Sequence, residues 1–318
     1  MKFIHTSAMP KEVIHYLNCG HETDCKKSKI YVDCTVGGSG HATSILEKII
    51  PNGMLIGIDQ DIDAIDNANV VLKKYKQNIH LFRENFIHLP EIMNSLNIST
   101  VDGIFMDIGL SQHQLENSKR GFSFKRDEPL DMRMDIRNQT SAADIVNSLN
   151  EKELANIIFK FGEEPFSRQI ARKIISARKT KRIESSLKLA QIVKSAIPTR
   201  IIAKKKTNPA TRTFQALRIA VNNELSKLDF FLQNAVNLLN TGGRICILSF
   251  HSLEDRIVKN RLRQLERPCT CPPDFPMCVC NKKPTIRCLT KKPVIPDNVE
   301  IKANPMARST KLRAAEKL

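Results

Sequence analysis

Tyr31-Val-Asp-Cys-Thr-Val-Gly-Gly-Ser-Gly-His41 is the stretch whose reading decides the fold. A short apolar run, Ile30 to Val32, ends in Asp33, and Gly37, Gly38 and Gly40 crowd in behind it. An apolar-periodic segment follows, with Ile45, Leu46, Ile49 and Ile50 at helical spacing. Strand, glycine loop and helix open a nucleotide-binding βαβ unit. Glycine there lets a ligand reach backbone that a Cβ would hold away, and it accepts the positive φ of a tight turn.

Three common ligands of such a loop fail on the residues. The dinucleotide fingerprint needs a glycine where Thr43 stands, and no Gly-Lys-Ser/Thr phosphate loop is present. The nucleophile elbow G-x-S-x-G fails at His41. What remains is an acidic strand end, a glycine loop and a second acid, Asp59, closing the next strand, Met54 to Ile58. That arrangement suits S-adenosylmethionine, with Asp59 accepting from the ribose hydroxyls as the acid does in dinucleotide folds.

Strand and helix alternate around this unit. A helix is expected from about Asp61 to Tyr75, then a strand over Ile79–Arg83 ending at Asn85-Phe86, then a strand over Asp102–Asp107. Such alternation argues for a doubly wound, mostly parallel α/β sheet, whose ligands sit outside the carboxyl ends of the strands. Asp33, Asp59, Phe86 and Asp107 all fall at such ends, with Phe86 placed to lie against an adenine. A later strand, Arg244–Phe250, ends in Ser249-Phe-His251 on the same sheet edge, so Ser249, Phe250 and His251 are candidates for holding a substrate base and Asp107 for contacting the cofactor or the reacting group.

After Asp107 the pattern breaks into a long irregular segment carrying Arg120-Gly-Phe-Ser-Phe124 and Pro129-Leu-Asp-Met-Arg-Met-Asp135. Arg120 and Arg133 beside aromatic rings suit a base or a phosphate; a salt-bridge network bracing the loop is the alternative. Residues 141–200 read as helices only. The division expected is a sheet domain over 1–115, a helical substrate-binding insert over 116–207, and the rest of the sheet domain over 208–318. That last part includes a Cys-rich loop, 268–281, and a basic tail that touches nucleic acid or is simply solvated. Lys204, Lys205 and Lys206 close the insert, and the next helix shares Arg212 and Arg218 on one polar face.

The formal net charge of +17 favours a polyanionic partner. No apolar run is long enough to span a membrane, and the first residues lack an apolar signal region, so a cytoplasmic protein is expected. Cys269, Cys271, Cys278 and Cys280 form the cysteine cluster. Paired cysteines suggest zinc, but C-x-C is tighter than the usual knuckle and no Cys-x-x-Cys is present. The reading taken is a proline-rich lid with uncoordinated thiols and no metal.

Several long strings match one family. They are Asp33 to His41, Val101-Asp-Gly-Ile-Phe-Met-Asp-Ile-Gly-Leu-Ser111, Arg120 to Phe124, Pro129 to Met134, Phe161-Gly-Glu-Glu164, Pro209-Ala-Thr-Arg-Thr-Phe-Gln-Ala-Leu-Arg-Ile219, Ser249 to Arg256, and Arg308-Ser309 with Lys311-Leu-Arg313. Through them the chain resembles the bacterial ribosomal RNA small-subunit methyltransferase H family over nearly its whole length. The resemblance implies a Rossmann-like S-adenosylmethionine-dependent methyltransferase fold split by a helical domain. It implies methylation of the N4 amine of a single decoding-site cytidine in 16S rRNA of the small ribosomal subunit. The family's cofactor positions carry over to Ser39, Gly40, His41, Asp59, Phe86, Asp107 and Gln114. Ser39 stands for a usual glycine, Gln112-His113 for Ser-Pro, Asn208 for a usual histidine and Met306 for a usual arginine. A homodimer is left open. The competing readings are a DNA amino-methyltransferase, against which Asp107-Ile-Gly-Leu110 lacks the Pro-Pro-aromatic motif, and a non-catalytic RNA-binding protein.

Overall fold

A computed structural model describes residues 7–20, 28–204, 207–272, 277 and 279–318, with Lys204 described by its backbone alone. Two compact units emerge. One ends at Gly109 and resumes at Leu225; the other is Leu110–Glu224.

The first unit is built on seven strands: β1 (Ile30–Asp33), β2 (Met54–Asp59), β3 (Ile79–Arg83), β4 (Val101–Asp107), β5 (Leu239–Ser249), β6 (Ile286–Cys288) and β7 (Lys311–Lys317). They lie in the order β3-β2-β1-β4-β5-β7-β6. Strands β1 to β5 are parallel neighbours, and β7 runs antiparallel between β5 and β6. This is the Rossmann-like methyltransferase order. Both faces are buried, so successive residues serve opposite cores. Ile104, Met106, Ile245 and Ile247 pack on one side, and Phe105, Cys246 and Leu248 on the other. Helices α1 (Pro10–Leu17), α2 (Gly40–Ile49) and α3 (Ile62–Val71) cover the second face through Leu17, Ile45, Leu46 and Ala68. The first face takes α4 (Leu89–Ser95).

The second unit holds α5 (Gln112–Glu116), α6 (Ala142–Ser148), α7 (Glu151–Gly162), α8 (Ser167–Thr180), α9 (Ser186–Ala196), α10 (Thr199–Lys204) and α11 (Thr211–Asn222). Its core gathers Val146, Ile158, Ile174, Val193 and Leu217 from five of these helices. The sequence pattern put the end of this insert at 207, but α11 packs on α7 and belongs with it. Gly162 permits the approach: a Cβ there would sit 2.5 Å from the Arg212 carbonyl oxygen. The chain then returns to the sheet through α12 (Glu224–Asn234), and β5 leads into α13 (Ser252–Glu266); both complete the first face. A short α14 (Asn298–Ala303) precedes β7.

The carboxyl-terminal segment corrects an expectation. Read as a basic tail, 311–317 is instead an internal strand with Leu312, Arg313, Ala314 and Ala315 buried. Charged residues disguised it because Arg313 finds its partner inside the fold: Nε donates to Asp255 Oδ1 at 2.6 Å, and Lys311 Nζ to Oδ2 at 3.3 Å. Burial opposes the Asp255 carboxylate, but the Arg313 and Lys311 cations outweigh it and hold the carboxyl below its usual range. Arg313→Met leaves the buried Asp255 carboxylate on α13 with the longer Lys311 contact in place of the shorter Arg313 one and is expected to cost about 3 kcal/mol. The check is a lower urea midpoint at unchanged slope. Because that carboxyl is depressed, its contribution is present at neutral pH and disappears as pH drops through and below the ordinary carboxylate range.

No described helix is long and apolar enough to cross a membrane.

Candidate active site

Acids cap three adjacent parallel strands at one edge of the sheet. Asp33 ends β1 and is fully buried. Its Oδ1 accepts the Thr35 N–H at 3.0 Å, while Oδ2 has no hydrogen-bond partner. Burial pushes the carboxyl up to about 7; His41 and the Thr35 N–H draw it down, and Asp107 and Asp59 push it further up. His41, in the first turn of α2, is also buried, its ring 4.6 Å from that of Phe105. Neither ring nitrogen makes a hydrogen bond, although Nε2 lies 3.5 Å from Asp107 Oδ2. At that separation the pair is an electrostatic contact. Asp107 ends β4, and its N–H donates to Thr35 Oγ1 at 2.7 Å. Thr35 thus ties the ends of β1 and β4 together.

Asp59 ends β2 and holds the glycine loop. Its Oδ2 accepts the Gly37 N–H and its Oδ1 the Asp61 N–H, both at 2.9 Å. Gly37 and Ser39 both have positive φ, +45° and +67°. Ser39 is therefore a non-glycine in left-handed backbone, a conformation that costs an L-residue roughly 1–2 kcal/mol. It is the N-cap residue of α2 but contributes no side-chain cap. The first-turn N–H groups of α2 lack intrahelical partners, and that helix end favours negative charge. Phe86 follows β3 in a single 3-10 turn, half-buried, its ring 5.3 Å from and edge-on to Phe231. Beside it Asn85 Nδ2 donates to Gln60 Oε1 at 2.8 Å, linking the ends of β2 and β3.

This set fits S-adenosylmethionine. Asp33 Oδ2 and the His41 nitrogens are buried polar atoms awaiting partners, which suits an ammonium and its neighbours. The α2 terminus at Ser39 and Gly40 suits a carboxylate. Asp59, ending β2 and half-buried beside the glycine loop, is the acid placed to accept ribose hydroxyls. Phe86 offers a flat apolar surface.

The end of β5 divides the expected base-holding residues. Phe250 is half-buried and lies against Gly109, where a Cβ would sit 3.2 Å from its Cδ2. Ser249 is buried within the sheet, its Oγ donating to the Lys311 carbonyl at 3.4 Å. His251 caps α13, with Nδ1 accepting the Glu254 N–H at 3.4 Å and Nε2 lying 2.9 Å from Glu254 Oε1. Glu254, fully buried, turns back and accepts the Phe250 and His251 N–H groups at 2.8 and 3.2 Å. Ser249 is therefore buried in the sheet, whereas Phe250 and His251 are both half-buried at the strand end, with His251 also capping α13. Sequence reasoning passed over Thr35 and Glu254; both lie inside the strings already singled out, where a strand end meets the next helix.

Within the helical unit the candidates are mostly engaged internally. Gln114 is buried and closes the α5 capping box, its Oε1 accepting the Ser111 N–H at 3.1 Å. Arg120 is buried, and its Nη1 donates to the Arg133 and Met134 carbonyls, each at 3.0 Å. Arg133 forms a fork with Asp131 at 2.7 and 2.8 Å, and Arg218 one with Glu224 at 2.9 and 2.8 Å. Arg120 and Arg133 brace the loop, the alternative weighed from the sequence, while Arg218 pairs with Glu224 across the end of α11. Asn222, unforeseen, locks the same segment by accepting the Met134 N–H and donating to the Met132 carbonyl, both at 2.8 Å. Arg212 is exposed and gives one Nη1 to the Glu163 carbonyl. Lys205, Lys206 and the Lys204 side chain lie outside the described residues. Exposed cations do line α8 and its end: Arg168, Lys173, Lys179 and Lys181. Back in the sheet unit, Cys269, Cys271 and Cys280 converge, which the no-metal expectation did not foresee; Cys278 lies outside the described residues.

Comparison with known proteins places the chain in a family. A protein of Desulforapulum autotrophicum named ribosomal RNA small subunit methyltransferase H is 56% identical, covering 99% of each chain. Proteins of that name from Desulfosudis oleivorans and Clostridium botulinum (strain Kyoto) are 48% and 47% identical, each covering 100% of both chains. The MraW methylase family matches over residues 2–318, and this chain, with its acid-capped sheet edge, belongs to that family.

Proposed function

We propose that the protein methylates the N4 amine of a single decoding-site cytidine in 16S rRNA of the small ribosomal subunit. The observation that carries the reading is the gathering of Asp33, His41 and Asp107 at the ends of β1 and β4, with buried polar atoms lacking protein partners, in a methylase chain. Relatives named as small-subunit rRNA methyltransferases support the substrate class, and the charge of +17 suits it. The N4 position follows from the resemblance of the motifs.

When bound, S-adenosylmethionine supplies a methyl group made electrophilic by the sulfonium. An exocyclic cytosine amine is a weak nucleophile because its lone pair is delocalised into the ring. Asp107 can accept an N–H from that amine, orienting the lone pair and offsetting charge that develops on nitrogen. Phe250 offers a stacking surface for a base that has left its own stack. The exposed cations of α8 suit phosphates, so RNA affinity falls steeply with salt.

The test is methyl transfer from radiolabelled donor to immature small subunits, naked 16S rRNA and duplex DNA, with the product nucleoside identified by mass spectrometry. N4-methylcytidine at one position of the small-subunit RNA supports the reading. Label on DNA, on another atom, or on nothing overturns it.

Asp33 adds a pH dependence. Its ordinary value of 3.8 rises to about 7, so between those limits the folded protein holds a proton that the unfolded chain has lost. Asp33's contribution to stability is therefore full below about 4 and gone above about 7. A cationic donor beside it favours the ionised form. Donor binding at pH 6 is expected to release a proton and to tighten as pH rises toward 7. Calorimetry in buffers of different ionisation enthalpy reads the proton, and Asp33→Asn is expected to abolish its release.

A further inference from the structure

The cysteine-rich stretch takes no part in the chemistry above. It fills residues 267–285, between α13 and β6. Its base is pinned: the Thr285 N–H donates to the Leu265 carbonyl at 3.1 Å, and the Cys288 N–H to Glu266 Oε1 at 2.8 Å. Beyond those pins, the described residues form no helix or strand and none is buried. A loop this long without a core needs another source of order.

One feature supplies it. The sulfurs of Cys269, Cys271 and Cys280 all lie within 4.8 Å of one another. A disulfide consumes two thiols and leaves the third without a purpose. A tetrahedral ion with sulfurs at about 2.3 Å sets them about 3.8 Å apart, a small contraction from this arrangement. The surroundings suit thiolates. The Val279 N–H donates to Cys271 Sγ at 3.4 Å, the kind of backbone contact that supports a metal-bound sulfur. Lys282 Nζ donates to Thr270 Oγ1 at 3.3 Å and draws the second C-x-C arm onto the first. Arg267, Lys282 and Lys283 place positive charge on the loop. Cys19, Cys34 and Cys246, by contrast, are buried among apolar side chains, away from this cluster.

We infer that this loop is a zinc clasp, in which Cys269, Cys271 and Cys280 bind a zinc ion as thiolates and order a segment that has no core. Soft sulfur donors select zinc over the hard divalent cations. Each thiol that coordinates releases its proton, so the site empties in acid. The remaining coordination position falls to water or a further donor. Cys278 repeats the C-x-C spacing in sequence and is tested separately.

The experiment measures metal in untagged full-length protein purified without chelator. One zinc per chain is expected by mass spectrometry of the digested protein. Cys271→Ser and Cys280→Ser are expected to lose it, and Cys288→Ser, outside the cluster, to keep it. Cobalt exchanged into the wild-type protein is expected to show sulfur-to-cobalt charge transfer and the intense visible bands of a tetrahedral site. If either variant fails to fold, alkylation of the wild-type chain decides instead: zinc protects the three thiols and chelator exposes them. Wild-type protein that holds under a tenth of an equivalent and gives no cobalt–thiolate band after reduction and reconstitution overturns the proposal. So does an iron–sulfur chromophore, a disulfide among the three, or zinc unchanged in both serine variants. The result for Cys278→Ser decides whether the site is three- or four-sulfur.

Discussion

Asp59→Ala is expected to weaken binding of the methyl donor by about 100- to 1,000-fold, or about 3–4 kcal/mol. The carboxylate does two things at once. It anchors the glycine loop through the Gly37 N–H and the start of α3 through the Asp61 N–H. A hydrogen bond to a charged acceptor contributes about 1.5–3 kcal/mol, so the loss of the ribose contacts, together with a loosened glycine loop, accounts for the range. Asp59→Asn is expected to do almost as badly. Both carboxylate oxygens receive a backbone N–H, so an amide turns its NH2 against one of the two donors whichever way it is placed. Titration calorimetry with the donor, alongside a thermal melt showing the fold retained, checks the effect. Donor binding in Asp59→Ala at wild-type strength would remove this residue from the site.

Gly121→Val is expected to destabilise the helical unit by about 3–5 kcal/mol, the sum of left-handed strain and overpacking. Gly121 has φ +70°, and a Cβ there would lie 2.2 Å from the Pro129 carbonyl oxygen, a backbone atom that cannot swing aside. Its N–H is also committed to the buried Glu128 carboxylate at 3.1 Å. The return of 129–132 rests on this turn, since the Met132 N–H donates to the Arg120 carbonyl at 2.8 Å. Limited proteolysis should open the Leu110–Glu224 unit at low protease while the wild type resists. Equal resistance would show that the turn yields.

Much of the architecture was legible because parallel strands buried on both faces are short apolar runs, and three of them, β1, β2 and β4, end in an acid. Ile30–Asp33, Met54–Asp59 and Ile79–Arg83 read true to the residue. The last strand did not, because Lys311-Leu-Arg-Ala-Ala-Glu-Lys317 shows charges whose partners, Asp255 and Arg244, lie far off in sequence. The same cause hid the part played by the arginines. Arg120, Arg133 and Arg218 look like phosphate ligands in a string of letters, and only geometry reveals the carbonyls and carboxylates that already occupy them. Ser249 and His251 were legible as strand-end residues but not as a sheet anchor and a helix cap, since a hydroxyl or an imidazole serves either purpose. The acids at Asp33, Asp59 and Asp107 needed only position, and position follows from strand length.

The register of β4 on β5 pairs Asp107 with Leu248, and the whole Leu110–Glu224 unit is strung between them. Pairing of two adjacent central strands is therefore costlier while that excursion is disordered. A disordered excursion imposes a closure entropy that grows with its length, whereas a folded one brings its ends within reach. The helices make mostly local contacts and form early, and the long-range strand pairing waits for them. The order of assembly then runs from the inserted unit outward, and a defect inside it, such as the crowded turn at Gly121, is expected to slow refolding of a sheet it does not belong to, visible as delayed hydrogen-exchange protection of β5 and β7.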